Sequence, residues 1–257
     1  MLSAPKYSTD RISAPQLVHF RDFAIILSMV GTARENDGTT KPRAVQQPPE
    51  QRERLARYLD ELQRWNRRLN LTSVPAASAW TRLIEESLTL AALAGIHSGE
   101  RVIDVGSGAG IPGMVVAIMH PDVAVTLLES DTRKAGFLTH AAGMLELHAV
   151  SILNARAEEA GHDASLRESF DVAVSRAAAP APALCELALP FVHAGGHLCA
   201  QVSDAAAEAR RCRAAATACG GDAPHALSPD VMCVRKVTST PSEYPRRTGV
   251  PSRRPLR

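Results

Sequence analysis

The chain lacks any long hydrophobic run. No stretch approaches the roughly 18 consecutive apolar residues of a membrane span. The nearest, Phe20 to Val30, is interrupted by Arg21 and Asp22 and does not follow the basic, apolar, cleavage order of a signal peptide. An excess of one charge is also lacking: the net charge is +2 over 257 residues, so nucleic-acid binding has to be argued from local clusters and not from the total. Aromatic residues make up only 4% of the chain, and no lid domain is evident for enclosing a small substrate. The five cysteines (Cys185, Cys199, Cys212, Cys219, Cys233) are odd in number, form no C-x-x-C pair and have no histidine at metal-ligand spacing. They read as reduced thiols of a cytoplasmic protein that holds no metal. The nine histidines are scattered without a constellation that would make an acid–base or nucleophilic device.

The length suits one substantial α/β domain with a smaller appendage. Residues 1–49 carry Pro5, Pro15, Gly31, Gly38, Pro42, Pro48 and Pro49 among polar residues and read as a flexible extension. Phe23, Ile25, Ile26 and Leu27 could alternatively build a short docking helix, and an over-extended start is the plainest account of the segment. Residues 50–98 form a helical segment. In it Leu55, Tyr58, Leu59, Leu62, Trp65 and Leu69 recur at steps of three and four, and a second helix runs from about Ala79 to Ala94. From 99 to 240 strand-like runs alternate with helical ones: 102–105, 123–128, 150–153, 170–175, 197–202 and a last piece near 232–237. That alternation predicts βαβ units and a mostly parallel sheet, with ligands outside the carboxyl ends of the strands. Residues 241–257 form a basic tail.

The first of these strands leads into Asp104-Val105-Gly106-Ser107-Gly108-Ala109-Gly110-Ile111-Pro112-Gly113. Glycines let a backbone approach a ligand without Cβ clashes, and a following helix N-terminus offers unpaired N–H groups. Gly108 to Gly113 also matches the G-x-G-x-x-G dinucleotide fingerprint, so the loop by itself supports a nucleotide-like cofactor and leaves NAD in contention. Asp104, at the strand end two positions before the first glycine, resembles motif I of S-adenosylmethionine-dependent methyltransferases.

Glu129 ends the next strand about twenty residues on, where a carboxylate can accept from both hydroxyls of a ribose. Ala157 and Glu158, after the third strand, offer a small side chain and an acid to an adenine ring. Arg176, at the end of the fourth strand, could hold a substrate phosphate or the cofactor's methionine carboxylate. The Asn/Asp-Pro-Pro-aromatic segment of many amino-group methyltransferases is missing there, which argues against N6-adenine or N4-cytosine as target. Candidates for RNA contact are Asn66 and Asn70 near the end of the first helix, beside Trp65, and the tail arginines Arg246, Arg247, Arg253 and Arg254, with Arg257 in the same cluster.

Taken together, Trp65-Asn66-x-x-Leu69-Asn70-Leu71-Thr72-Ser73, the loop at 104–113, Thr126-Leu127-Leu128-Glu129-Ser130, Ala157-Glu158-Glu159, Ser175-Arg176-Ala177 and the ending Tyr244-Pro245-Arg246-Arg247-x-Gly249-x-Pro251 closely resemble the GidB family. These are bacterial methyltransferases acting at guanine N7 in 16S ribosomal RNA. The resemblance implies a Rossmann-like class I S-adenosylmethionine-dependent fold behind an N-terminal helical segment. It further implies Gly106, Ile111, Ala157, Glu158 and Arg176 in contact with S-adenosylmethionine, and 16S rRNA or the 30S particle as partner of a monomeric enzyme. Guanine N7 has an in-plane lone pair and no proton, so no catalytic base is expected and in-line positioning carries the reaction. Two segments depart from the family pattern: in Arg82-Leu83-Ile84-Glu85-Glu86-Ser87, Leu83 stands where histidine is common and Glu86 where aspartate is usual, and Val202-Ser203 stands where a Lys-Gly pair is common. A methyltransferase-fold binding protein of little activity, a small-molecule methyltransferase and an NAD-dependent enzyme remain as alternatives.

Overall fold

The computed structural model describes residues 32–34, 40–42, 47–176 and 178–257. The short helix expected around Phe23 to Leu27 lies outside them. Strands β1 (Thr32–Arg34) and β2 (Thr40–Pro42) pair antiparallel. This pair belongs to a unit, Met1–Arg43, distinct from Ala44–Arg257.

In the larger unit α1 (Pro49–Leu69) starts at a proline that needs no N–H partner and ends where Asn70 turns left-handed, φ 50°. Leu55, Tyr58, Leu59 and Leu62 are its buried stripe, as the three-and-four spacing predicts. The second predicted helix is in fact two pieces, a π-helical stretch (Trp80–Glu85) and α2 (Glu86–Ala94), preceded by a 3-10 turn (Ala76–Ser78) and stopped by Gly95 at φ 62°. The wider π turn is closed by Glu86 N–H donating to Thr81 O, and Ser87 Oγ and Thr89 Oγ1 donate to carbonyls four residues back.

The sheet then alternates with helices: β3 (Arg101–Val105), α3 (Gly113–Met119), β4 (Ala124–Leu128), α4 (Thr132–Met144), β5 (Val150–Leu153), α5 (Ala157–Ala160), β6 (Phe170–Arg176), α6 (Ala181–Ala188), β7 (Val192–Gln201), α7 (Ala205–Ala218), β8 (His225–Ser228) and β9 (Val231–Arg235), with a final turn α8 (Val250–Arg253). Strand order is β5-β4-β3-β6-β7-β9-β8. The pairs among β3 to β7 are parallel, whereas β9 runs antiparallel to both β7 and β8. The sequence pattern predicts the five parallel strands and β9, but not β8, and it starts β7 five residues late. Two glycines, Gly195 and Gly196, interrupt the apolar alternation at the head of β7. Gly196 is required there, because a Cβ would stand 2.2 Å from Asp171 O on β6.

Alternate strand residues serve two cores. Val102, Val125, Leu127, Val172 and Val174 face α1 to α4, while Ile103, Val105, Ala173, Leu198 and Val234 face α6 and α7. All five cysteines are buried free thiols. Among the described residues no helix is long and apolar enough to cross a membrane, and no three His, Cys, Asp or Glu are grouped to hold a metal. The strand order reverses between β3 and β6, so the crevice outside their carboxyl ends is the place where this architecture receives ligands.

Candidate cofactor site and substrate groove

At that crevice the glycine loop is tied down from three sides. Gly106 N–H and Ser107 N–H both donate to Leu128 O at the end of β4, at 2.9 and 3.0 Å. Glu129 Oε2 accepts from Gly108 N–H at 2.8 Å and its Oε1 from Asp131 N–H at 2.7 Å. From α1, the Tyr58 hydroxyl donates to Ala109 O. Gly106, Gly108 and Gly110 have φ of 75°, 56° and 86°, a region that side chains disfavour. At Gly106 a Cβ would also lie 2.5 Å from Ala178 Cβ, in the loop after β6. Ile111 is buried beneath the loop, and its bond to Pro112 is cis.

The structure corrects the expectation that the following helix presents free N–H groups. Asp104 is fully buried, and its Oδ2 accepts from Gly113 N–H at 2.9 Å, so the first amide of α3 is already occupied. The other oxygen, Oδ1, is buried with no hydrogen-bond partner. Burial pushes the carboxyl up to about 7, with the Gly113 N–H and the neighbouring Ser107 hydroxyl opposing that rise and the Glu129 charge adding to it.

Glu129, just after β4, and Glu158, at the second position of α5, are both buried, but their neighbours differ. Glu129 braces the glycine loop. Glu158 Oε1 accepts from Gly249 N–H at 2.8 Å, which turns its carboxylate to the C-terminal segment instead of leaving it free for a ligand's polar edge. Ala157 stands half-buried at the first position of α5. Arg176, at the end of β6, is held by the helical segment: its guanidinium donates to Arg82 O and its Nη2 lies 3.1 Å from Glu86 Oε2. Burial lowers its pKa and Glu86 opposes that. Glu86 also takes Arg82 Nε at 2.8 Å and Gln201 Nε2 at 2.8 Å, so one acid gathers side chains from the π-helical stretch, β6 and β7. The sequence reading missed this cluster. An acid among the apolar residues of a buried helix was the available signal.

Two groups of RNA candidates are relocated. Asn66 spends both ends of its amide on Thr72, Nδ2 donating to Thr72 O and Oδ1 accepting from Thr72 N–H, each at 2.9 Å. Asn70 is the exposed left-handed cap of α1. Both shape the turn after the helix. In the tail, Arg246 is bound to the fully buried Glu186, with Nε to Oε1 at 2.8 Å and Nη2 to Oε2 at 2.6 Å, so it is a structural anchor and not an outward cation. The tail as a whole is docked: Arg167 donates to the carbonyls of Gly161, Thr240, Pro241 and Tyr244, and His162 Nε2 meets Pro245 O at 2.8 Å. Arg247, Arg253 and Arg254 remain exposed, with Arg253 Nε donating to Gly249 O.

Beside the reversal point, a groove of about 960 Å³ runs along the ends of β6 and β7. Its lining includes Arg82, Glu86, Arg176 and Gln201 of the Glu86 cluster, Leu184, Val202, and Leu256 and Arg257 of the tail.

Comparison with known proteins agrees with this architecture. A SAM-dependent O-methyltransferase from Thermotoga maritima superposes with a TM-score of 0.50 over 72% of each chain at 16% identity, a likeness of fold. The ribosomal RNA small subunit methyltransferase G of Roseiflexus castenholzii is 39% identical over 214 residues, 79% of this chain and 91% of that one. The protein of the same name from Moorella thermoacetica is 37% identical over 223 residues, covering 81% and 91%. The family described as rRNA small subunit methyltransferase G matches residues 51–227. A sheet with this reversal point, a glycine loop at its crevice and that extent of similarity together place the chain in the GidB family, rRNA small subunit methyltransferase G.

Proposed function

We propose that this protein transfers a methyl group from S-adenosylmethionine to N7 of a guanine in 16S rRNA, acting as a cytoplasmic monomer on the RNA or the 30S particle. Family membership together with the unsatisfied Asp104 carboxylate carries the reading. A buried acceptor without a donor costs about 1–3 kcal/mol, and more when charged, unless something completes it. The ammonium of an amino-acid-like cofactor is a donor of the right kind. The backbone of Gly106 and Gly108 would cradle that half of the cofactor, Glu129 would accept from its ribose, and Ala157 would lie against its adenine. When bound, S-adenosylmethionine supplies a methyl group activated by a sulfonium.

The remaining work falls to this chain's residues. Guanine N7 presents a lone pair and no proton, so the protein has to hold the base in line and exclude water, and needs no proton acceptor at N7. Several histidines are engaged elsewhere: His140 with Glu61, His193 with Asp171 and His197 with Ala94 O.

The test is transfer of labelled methyl groups to small-subunit RNA, and to 30S particles, from cells lacking the modification. The product is mapped by borohydride and aniline scission, which cleaves at N7-methylguanosine. Label at a single scissile guanine is expected. Label at another atom, or none with cofactor binding intact, overturns the proposal.

A further inference from the structure

We infer that Arg211 on α7 and Arg257 in the docked tail form the seat for the RNA phosphates beside the target base, in the groove at the ends of β6 and β7. This rests on the function proposed above and assigns which cations of this chain contact the substrate there. Four guanidiniums (Arg82, Arg176, Arg211, Arg257) line the groove against the carboxylates of Glu86 and Glu208 and the main-chain carboxylate of Arg257, leaving one positive charge in excess. Arg82 and Arg176 are committed to Glu86. Arg257 is exposed and makes no hydrogen bond or ion pair among the described residues. Arg211 is held only by the i,i+3 pair to Glu208 at 2.7 Å, with its side chain 67% exposed. An exposed pair of this kind contributes little, so a phosphate can displace it.

Three further features favour a nucleotide as occupant. The lining shared with these arginines includes the apolar side chains of Ala179, Leu184 and Val202, which suit the face of an unstacked base. Val202 brings no charge of its own to that lining. The wall carrying Arg257 is fixed, because Leu256 packs on the core under α6 and α7 and Arg246 is locked to Glu186. Arg257 is therefore presented by a built surface, not by a free arm, and it is separated in role from Arg246.

The test uses the full chain with Arg211→Ala, Arg257→Ala, the double variant, and the double variant carrying Val202→Lys. Small-subunit RNA methylation is followed as a function of salt, and cofactor affinity and melting temperature are measured alongside. Each single change is expected to raise KM for RNA with kcat nearly kept. Each should also flatten the slope of log(kcat/KM) against log[salt] by about 0.7, the value of one single-strand phosphate contact. Val202→Lys is expected to restore part of both losses. Unchanged KM and slope in the double variant overturn the inference. If the parent transfers no methyl group to RNA, the function proposed above fails. The groove is then judged by filter binding of the same RNA, where equal affinity of parent and double variant rejects it.

Discussion

Glu186, wholly buried in α6, accepts three hydrogen bonds from Arg246: one from its backbone N–H and two from its guanidinium. Removing the cation leaves a buried charge with no counter-ion, a change that costs about 3–5 kcal/mol. Arg246→Ala should therefore lower the urea midpoint by that equivalent, whereas Arg247→Ala, at an exposed position, should change stability by less than about 0.5 kcal/mol. Equal, small effects from both would show that the tail is not anchored through this pair.

Asp104 makes stability depend on pH. Burial pushes its carboxyl up to about 7 in the folded chain from the ordinary 3.8, so between those values the folded state holds a proton that the unfolded state has released. Stability consequently falls as pH rises through that window, and is highest below it. Asp104→Asn should remove the fall and raise the melting temperature at pH 8. The same variant should weaken S-adenosylmethionine binding in calorimetry, since it takes away the charge proposed to meet the ammonium. A pH profile indistinguishable from the parent's would remove Asp104 as its source.

Asn66→Ala deletes both hydrogen bonds to Thr72 and strands two backbone groups. A loss of about 1–3 kcal/mol in denaturant unfolding is expected. RNA affinity, measured at a temperature where the variant is fully folded, should match the parent's. A tenfold affinity loss with unchanged stability would return Asn66 to the RNA surface.

Gly106 combines a left-handed φ with a 2.5 Å approach of any added Cβ to Ala178. Gly106→Ala is expected to displace the loop after β6 and to weaken cofactor binding at least tenfold by equilibrium dialysis. Gly136→Ala, on α4 with open space around it, should leave that affinity unchanged and add a little stability. Unaltered cofactor affinity in Gly106→Ala would mean that the cofactor does not use this turn.

Much of the architecture was legible because it rests on local signals. The three-and-four spacing of Leu55, Tyr58, Leu59 and Leu62 specifies a helix, and the apolar runs ending in Asp104, Glu129 and Arg176 specify strands whose ends share one edge. Less was legible where identity does not reveal direction. Nothing in the sequence shows that Glu158 turns to Gly249, that Asn66 folds back on Thr72, or that Arg246 faces inward to a glutamate sixty positions earlier. A run of arginines looks alike whether its members meet solvent or a buried acid. The strand β8 was hidden for a related reason: at an edge with one neighbour, its residues need not be apolar.

The place of β9 between β7 and β8 has a consequence for synthesis. The chain leaves the ribosome from its amino end, so β7 emerges with its outer row of backbone groups unpaired, and α7 and β8 appear before the strand that will cover it. During that interval β7 is an adhesive edge, able to zip with another nascent copy. Completion of Val231–Arg235 closes it, and a break in translation between the two strands would release a species prone to aggregate.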